Sequence, residues 1–127
     1  MRYEVICFDD ILEVKTYGDA DLQGFKDFIH DFLAHECWHP GGALLINHSE
    51  LNGAPLTTDD IAEMANFTKP LQAQIGKAKI AILVARDLEF GLSRMWQVFA
   101  SEGRESVSEL FRSFNQAIAW LKDRNES

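Results

Sequence analysis

The chain has 127 residues, 46% of them hydrophobic, and a formal net charge of -8. That is long and apolar enough for one folded domain with a real core, and it excludes a disordered chain. The acidic balance argues against nucleic acid and against an anionic membrane surface as partners.

In chain order, Tyr3–Phe8 and Ile11–Thr16 are β-type runs around Asp9-Asp10, which predicts an antiparallel hairpin. Leu22, Phe25, Ile29, Phe32 and Leu33 follow at helical spacing, with Asp19 or Asp21 as the cap. His39-Pro40-Gly41-Gly42 ends that helix and feeds a short apolar run, Ala43-Leu44-Leu45-Ile46. A second such run is Ile80-Ala81-Ile82-Leu83-Val84. Runs this short and continuous predict strands buried on both faces, as in a helix-covered parallel sheet. Between them lies an expected loop from His48 to Leu56, then a helix opened by Thr57-Thr58-Asp59-Asp60. Ile61, Met64, Ala65, Thr68, Leu71 and Ile75 form its inner stripe, Pro70 predicts a kink or break, and Gly76 ends it. Leu92, Met95, Trp96 and Phe99 mark a third helix. Val107–Phe111 is a short strand candidate, and Phe114, Ala117, Ile118 and Leu121 mark a last helix capped by Ser113.

The resulting order, ββαβαβα(β)α, resembles the STAS-like family built on the fold of the sporulation anti-sigma-factor antagonist, in its SpoIIAA-like branch. The matching stretches are Ala43–Ser49, Thr57–Ala65, Lys79–Asp87 and the end Phe111 with Ala117-Ile118-Ala119-Trp120-Leu121. The resemblance implies a single domain over residues 1–127, with a mixed sheet of four or five strands. It implies an N-terminal antiparallel hairpin and about four helices mainly on one face. In that family an Asp-Ser-Ser-Gly segment opens a helix, and phosphorylation of a serine switches partner binding. Here the matching place is Pro55-Leu56-Thr57-Thr58-Asp59, which keeps hydroxyls but lacks the Ser-Gly core. The alternative is that both threonines merely cap the helix.

Ligands of open α/β sheets meet the crevice at the carboxyl ends of the strands. The candidate ligand or partner site is therefore Asn47, His48 and Ser49 after the first buried strand and Arg86 and Asp87 after the second. Thr57 and Thr58 at the helix start complete it. Arg86 offers a fixed positive charge to a carboxylate, phosphate or acidic partner. The competing picture is that it only pairs with Asp87 or Glu89 on the surface. His35, Cys37 and His39 alternate as metal ligands can, but they sit at a helix end, so no metal is expected. Trp38, Phe67 and Phe90 lie off the inner stripes, either as interface anchors or as covers for the core.

No Gly-x-Ser-x-Gly elbow and no assembled nucleophile, base and orienting group occur, so an enzyme is not expected and no cofactor is implied. The first reading is a non-enzymatic binding or regulatory module acting through a protein partner or small ligand, with a homodimer left open. The second is a carrier of a small apolar ligand or lipid in a pocket under the helices. It leans on Phe25, Phe28, Phe32, Met95, Trp96 and Phe99. Two cysteines, Cys7 and Cys37, are too few for a disulfide scaffold. Strand-like Tyr3–Phe8 leaves no room for a signal peptide, and no apolar run reaches the ~20 residues of a membrane helix. A cytoplasmic protein with reduced thiols and no integral membrane association is the expectation.

Overall fold

A computed structural model describes residues 1 to 123. It contains strands β1 (Arg2–Phe8), β2 (Ile11–Asp19), β3 (Ala43–Asn52), β4 (Lys79–Leu83) and β5 (Val107–Phe111). The longer helices are α1 (Leu22–Ala34), α2 (Thr58–Thr68), α4 (Asp87–Phe99) and α5 (Phe114–Lys122), with a short α3 (Gln72–Ile75).

The five strands form one sheet in the order β1-β2-β3-β4-β5. β1 pairs antiparallel with β2, and every later pair is parallel. The hairpin turn at Asp9 and Asp10 has both residues at positive φ, 49° and 62°. That is the type I′ requirement, met here by two short acidic side chains that tolerate it better than most residues do.

The sequential order explains the layering. Parallel crossovers are right-handed, so three crossovers that all step the same way put their helices on the same face. Phe25, Phe28, Phe32, Ile61, Met64 and Ile82 meet there in the main core. The opposite face is covered by α5, whose buried Ala117 and Leu121 pack on Ile11, Leu45, Ala81 and Leu83. The parallel strands never reverse their order. The sheet therefore has no topological switch point.

Local chemistry sets the boundaries. Asp21, not Asp19, caps α1, its Oδ1 accepting from Gly24 N at 2.6 Å. α2 opens with a capping box: Asp60 N donates to Thr57 Oγ1 at 3.1 Å and Thr57 N to Asp60 Oδ2 at 3.0 Å. The expected break at Pro70 is a 3₁₀ turn over Lys69–Leu71 that separates α2 from α3. Ser113 caps α5 as expected.

Three features differ from the sequence reading. β2 runs to Asp19 and β3 to Asn52, so the first half of the expected loop from His48 to Leu56 is strand. These two strands prolong each other beyond the end of β4, pairing through Gly18↔Leu51 and Asp19↔Asn52. Cys7 and Cys37, expected as reduced thiols, are joined in a disulfide with Cα atoms 6.4 Å apart. Among the described residues, no helix is long and apolar enough to cross a membrane.

Candidate functional site

The site grows from an irregularity in β3. Lys15 pairs with Asn47, but Tyr17 pairs with Glu50. Two residues, His48 and Ser49, therefore oppose the single Thr16. Such a bulge re-aims side chains and is common beside functional sites. Asn47 holds it. Its Oδ1 accepts from Ser49 N at 3.0 Å and from Ser49 Oγ at 2.6 Å, and its Nδ2 donates to the buried Glu13 carboxylate at 3.0 Å. Thr16 Oγ1 lies 3.2 Å from Asn47 O and 2.6 Å from His48 Nδ1.

His48 follows Leu44 and Ile46 on the inward face of β3, and its ring meets Phe25 edge-on at 5.5 Å and Phe28 at 6.3 Å. It is 8% exposed. Burial depresses its pKa to about 4, against an opposing pull from the Glu89 charge, so the imidazole is neutral near pH 7.

His48 borders a cavity of about 100 Å³ between the sheet and helices α1, α2 and α4. Its lining is mostly large and apolar, including Phe28, Met64, Ile82, Leu92 and Trp96. Glu89 forms part of the wall and is 3% exposed. Arg86 grips it with two bonds, Nε to Oε1 at 2.8 Å and an end nitrogen to Oε2 at 2.5 Å. Gly53 N adds a third donor at 2.8 Å. The Arg86 guanidinium beside it, more than any other cause, holds the Glu89 carboxyl below the usual carboxylate range. Arg86 also donates to Asn52 Oδ1 at 3.0 Å. A Cβ on Gly53 would stand 2.6 Å from Leu92 Cδ1 and 3.2 Å from Glu89 Oε2, so a larger residue there would have to push those two side chains aside.

The seven expected residues thus fall into separate groups. Asn47, His48 and Ser49 form the bulge. Arg86 meets Asn52 and Glu89 at the far end of β3. Asp87 turns away to Arg112, 2.6 Å off on the surface. Thr57 is engaged in its cap, and Thr58 is exposed. Arg86 does pair with Glu89, yet Glu89 is buried, so this is not a bridge of two surface charges. Sequence reading missed Thr16, Gly53 and Glu89 as parts of the site. An acidic residue in the first turn of α4 signals only a helix-dipole partner.

The remaining candidates have structural partners. His35 Nδ1 accepts from Cys37 N at 3.1 Å, and His39 lies in the following turn. Among the described residues no three His, Cys, Asp or Glu side chains form a ligand group for a metal. Trp38 packs edge-on against Phe32 at 5.1 Å and donates to Gln74 O at 2.9 Å. Phe67 meets His30 at 5.2 Å, and Phe90 lies under Arg112 at 5.0 Å. All three aromatics are partly buried against the main core.

The five-stranded sheet, its N-terminal hairpin and the helices packed on it make this a mixed α/β domain of SpoIIAA-like fold. A similar solved structure is that of an uncharacterized protein from the DUF3478 family, with a SpoIIAA-like fold, from Shewanella loihica PV-4. The two are 20% identical, with a TM-score of 0.59 over 94% of this chain and 92% of that one. At that identity the likeness shows the fold alone. No protein-family model matches the chain, and no curated protein matches it.

Proposed function

We propose that this chain is a single-domain, non-enzymatic binding module whose ligand is a small apolar molecule held between α1, α2, α4 and the sheet. The observation that carries this reading is the apolar cavity of about 100 Å³. Close-packed interiors leave few voids larger than a water molecule. Apolar cavities of this order stay dry and take up benzene-sized guests. The occupant gains by burying its surface and by supplying contacts that the cavity walls lack. Gly53 and Glu89 form part of the wall, and the Arg86–Glu89–Gly53 hydrogen bonds tie α4 to the β3–α2 loop.

Of the seven expected residues, His48 enters this reading as lining, Asn47 and Ser49 as the bulge around it and Arg86 as the partner of Glu89 in the wall, while Thr57, Thr58 and Asp87 stay outside it. A cytoplasmic location accords with it. The Cys7–Cys37 disulfide is of a kind rare in that compartment, where it would be a redox-sensitive bond.

Toluene titrated into ¹⁵N-labelled protein tests the proposal. Saturable amide shifts are expected at cavity residues such as Phe28, Met64, Ile82 and Trp96, with α5 on the other face unmoved. Shifts that never saturate, or that scatter over the surface, would refute it.

A further inference from the structure

We infer that the cavity selects neutral ligands carrying one hydroxyl, and that the His48 imidazole reads that group through Nε2. The inference rests on the apolar-cavity reading and adds to it the chemistry of the ligand head.

Buried polar groups are nearly always hydrogen-bonded, so an open one in an apolar wall marks a place for a partner. Glu89 is full: Arg86 takes both its oxygens and Gly53 N shares Oε2. The Thr68 hydroxyl donates to Ala65 O at 2.9 Å. His48 Nδ1 is taken by Thr16 Oγ1 at 2.6 Å. Nε2 of the same ring has no hydrogen-bonding partner among the described residues, and the ring is one wall of the cavity. Ser93, half-buried on α4, adds a hydroxyl to the lining.

The Thr16 proton decides what Nε2 offers. If Thr16 donates to Asn47 O, 3.2 Å away, then His48 Nδ1–H donates to Thr16 and Nε2 presents a lone pair. If Thr16 donates to Nδ1, Nε2 carries the proton. A ligand hydroxyl serves both tautomers, since it donates to one and accepts from the other. A carbonyl or an ether only accepts and an ammonium only donates, so each of these serves only one.

Charge narrows the choice further. An anionic head would lose its water and find no free cation, because Arg86 is already held by Glu89 and Asn52. It would also approach the Glu89 carboxylate. A cationic head would find Glu89 already saturated with donors, and a neutral imidazole gives neither charge a counter-ion.

Three probes of similar ring size separate the outcomes: toluene, phenol and benzoate, each titrated into the folded protein at pH 7.5. Water solvates phenol much better than toluene, so a cavity without a partner for the hydroxyl ranks toluene well above phenol. The expected result is phenol binding at least as tightly as toluene and about tenfold or more tighter than benzoate. The His48→Leu variant should lose about tenfold more affinity for phenol than for toluene. A merely structural role for His48 would weaken both equally. The side-chain ¹⁵N resonance of His48 Nε2 should move with phenol and stay with toluene. That signature stands on the wild-type protein even where the variant does not fold.

Toluene bound well above phenol, or benzoate bound as tightly as phenol, would overturn this inference and leave the cavity reading intact. Failure of all three probes to bind would remove the cavity reading and this inference together.

Discussion

His48 carries the clearest consequence at the scale of single residues. Its pKa is depressed from 6.5 to about 4 in the folded protein, with burial as the main cause. Above about pH 6.5 both folded and unfolded chains leave it neutral, and it contributes no pH dependence. Between 6.5 and 4 the unfolded chain takes up a proton that the folded protein refuses, so stability falls as pH falls. The loss amounts to about 3 kcal/mol by pH 4. Glu89 acts in the same direction, because a carboxyl held down by Arg86 loses its contribution when acid protonates it. Urea unfolding of wild type and His48→Phe at pH 7 and pH 4.5 separates the two. The variant should lose clearly less stability between these pH values. An equal loss in both proteins would show that His48 titrates normally.

Among the elements, β3 is the one that organises the site. Its first half, Ala43 to Ile46, is an ordinary buried strand. In its second half Asn47 Oδ1 gives the bulged Ser49 an acceptor for both its backbone N–H and its hydroxyl. Asn47→Ala would leave Ser49 without its acceptor and the buried Glu13 without its amide donor. The expected cost is about 2 kcal/mol in a urea melt. An unchanged midpoint would mean that strand pairing alone holds the bulge. This element also marks the limit of what the sequence makes legible. The apolar runs, the hairpin, the capped starts of α2 and α5 and the break at Pro70 each have a local cause, and each can be read locally. Asn47-His48-Ser49-Glu50 is polar throughout, so it reads as loop, and it is strand because an extended β2 lies beside it. Asn52-Gly53 reads as a turn, whereas its close approach to Leu92 and Glu89 on a distant helix is set by the tertiary fold. His48 and Arg86 are recognisable as candidates. Thr16 and Glu89, the partners that define their roles, lie 32 residues before the one and three residues after the other. Cys7 and Cys37 are 30 residues apart and meet only because α1 folds back along the hairpin.

For the molecule as a whole, the placement of the ligand follows from the order of the strands. A sheet whose parallel strands reverse their order opens a crevice at their ends. This one advances in a single direction, so its three crossover helices cover one face and the only interior they share with the sheet is the layer beneath them. The cavity lies in that layer, and α5 seals the opposite face. The central claim is that this space accepts an apolar guest. Crystals pressurised with xenon test it most directly, since xenon needs only a dry void of sufficient size. Xenon is expected between the sheet and α1, α2 and α4, in contact with Phe28, Met64, Ile82 and Trp96. Crystals that take up xenon elsewhere but leave this layer closed and empty would contradict it.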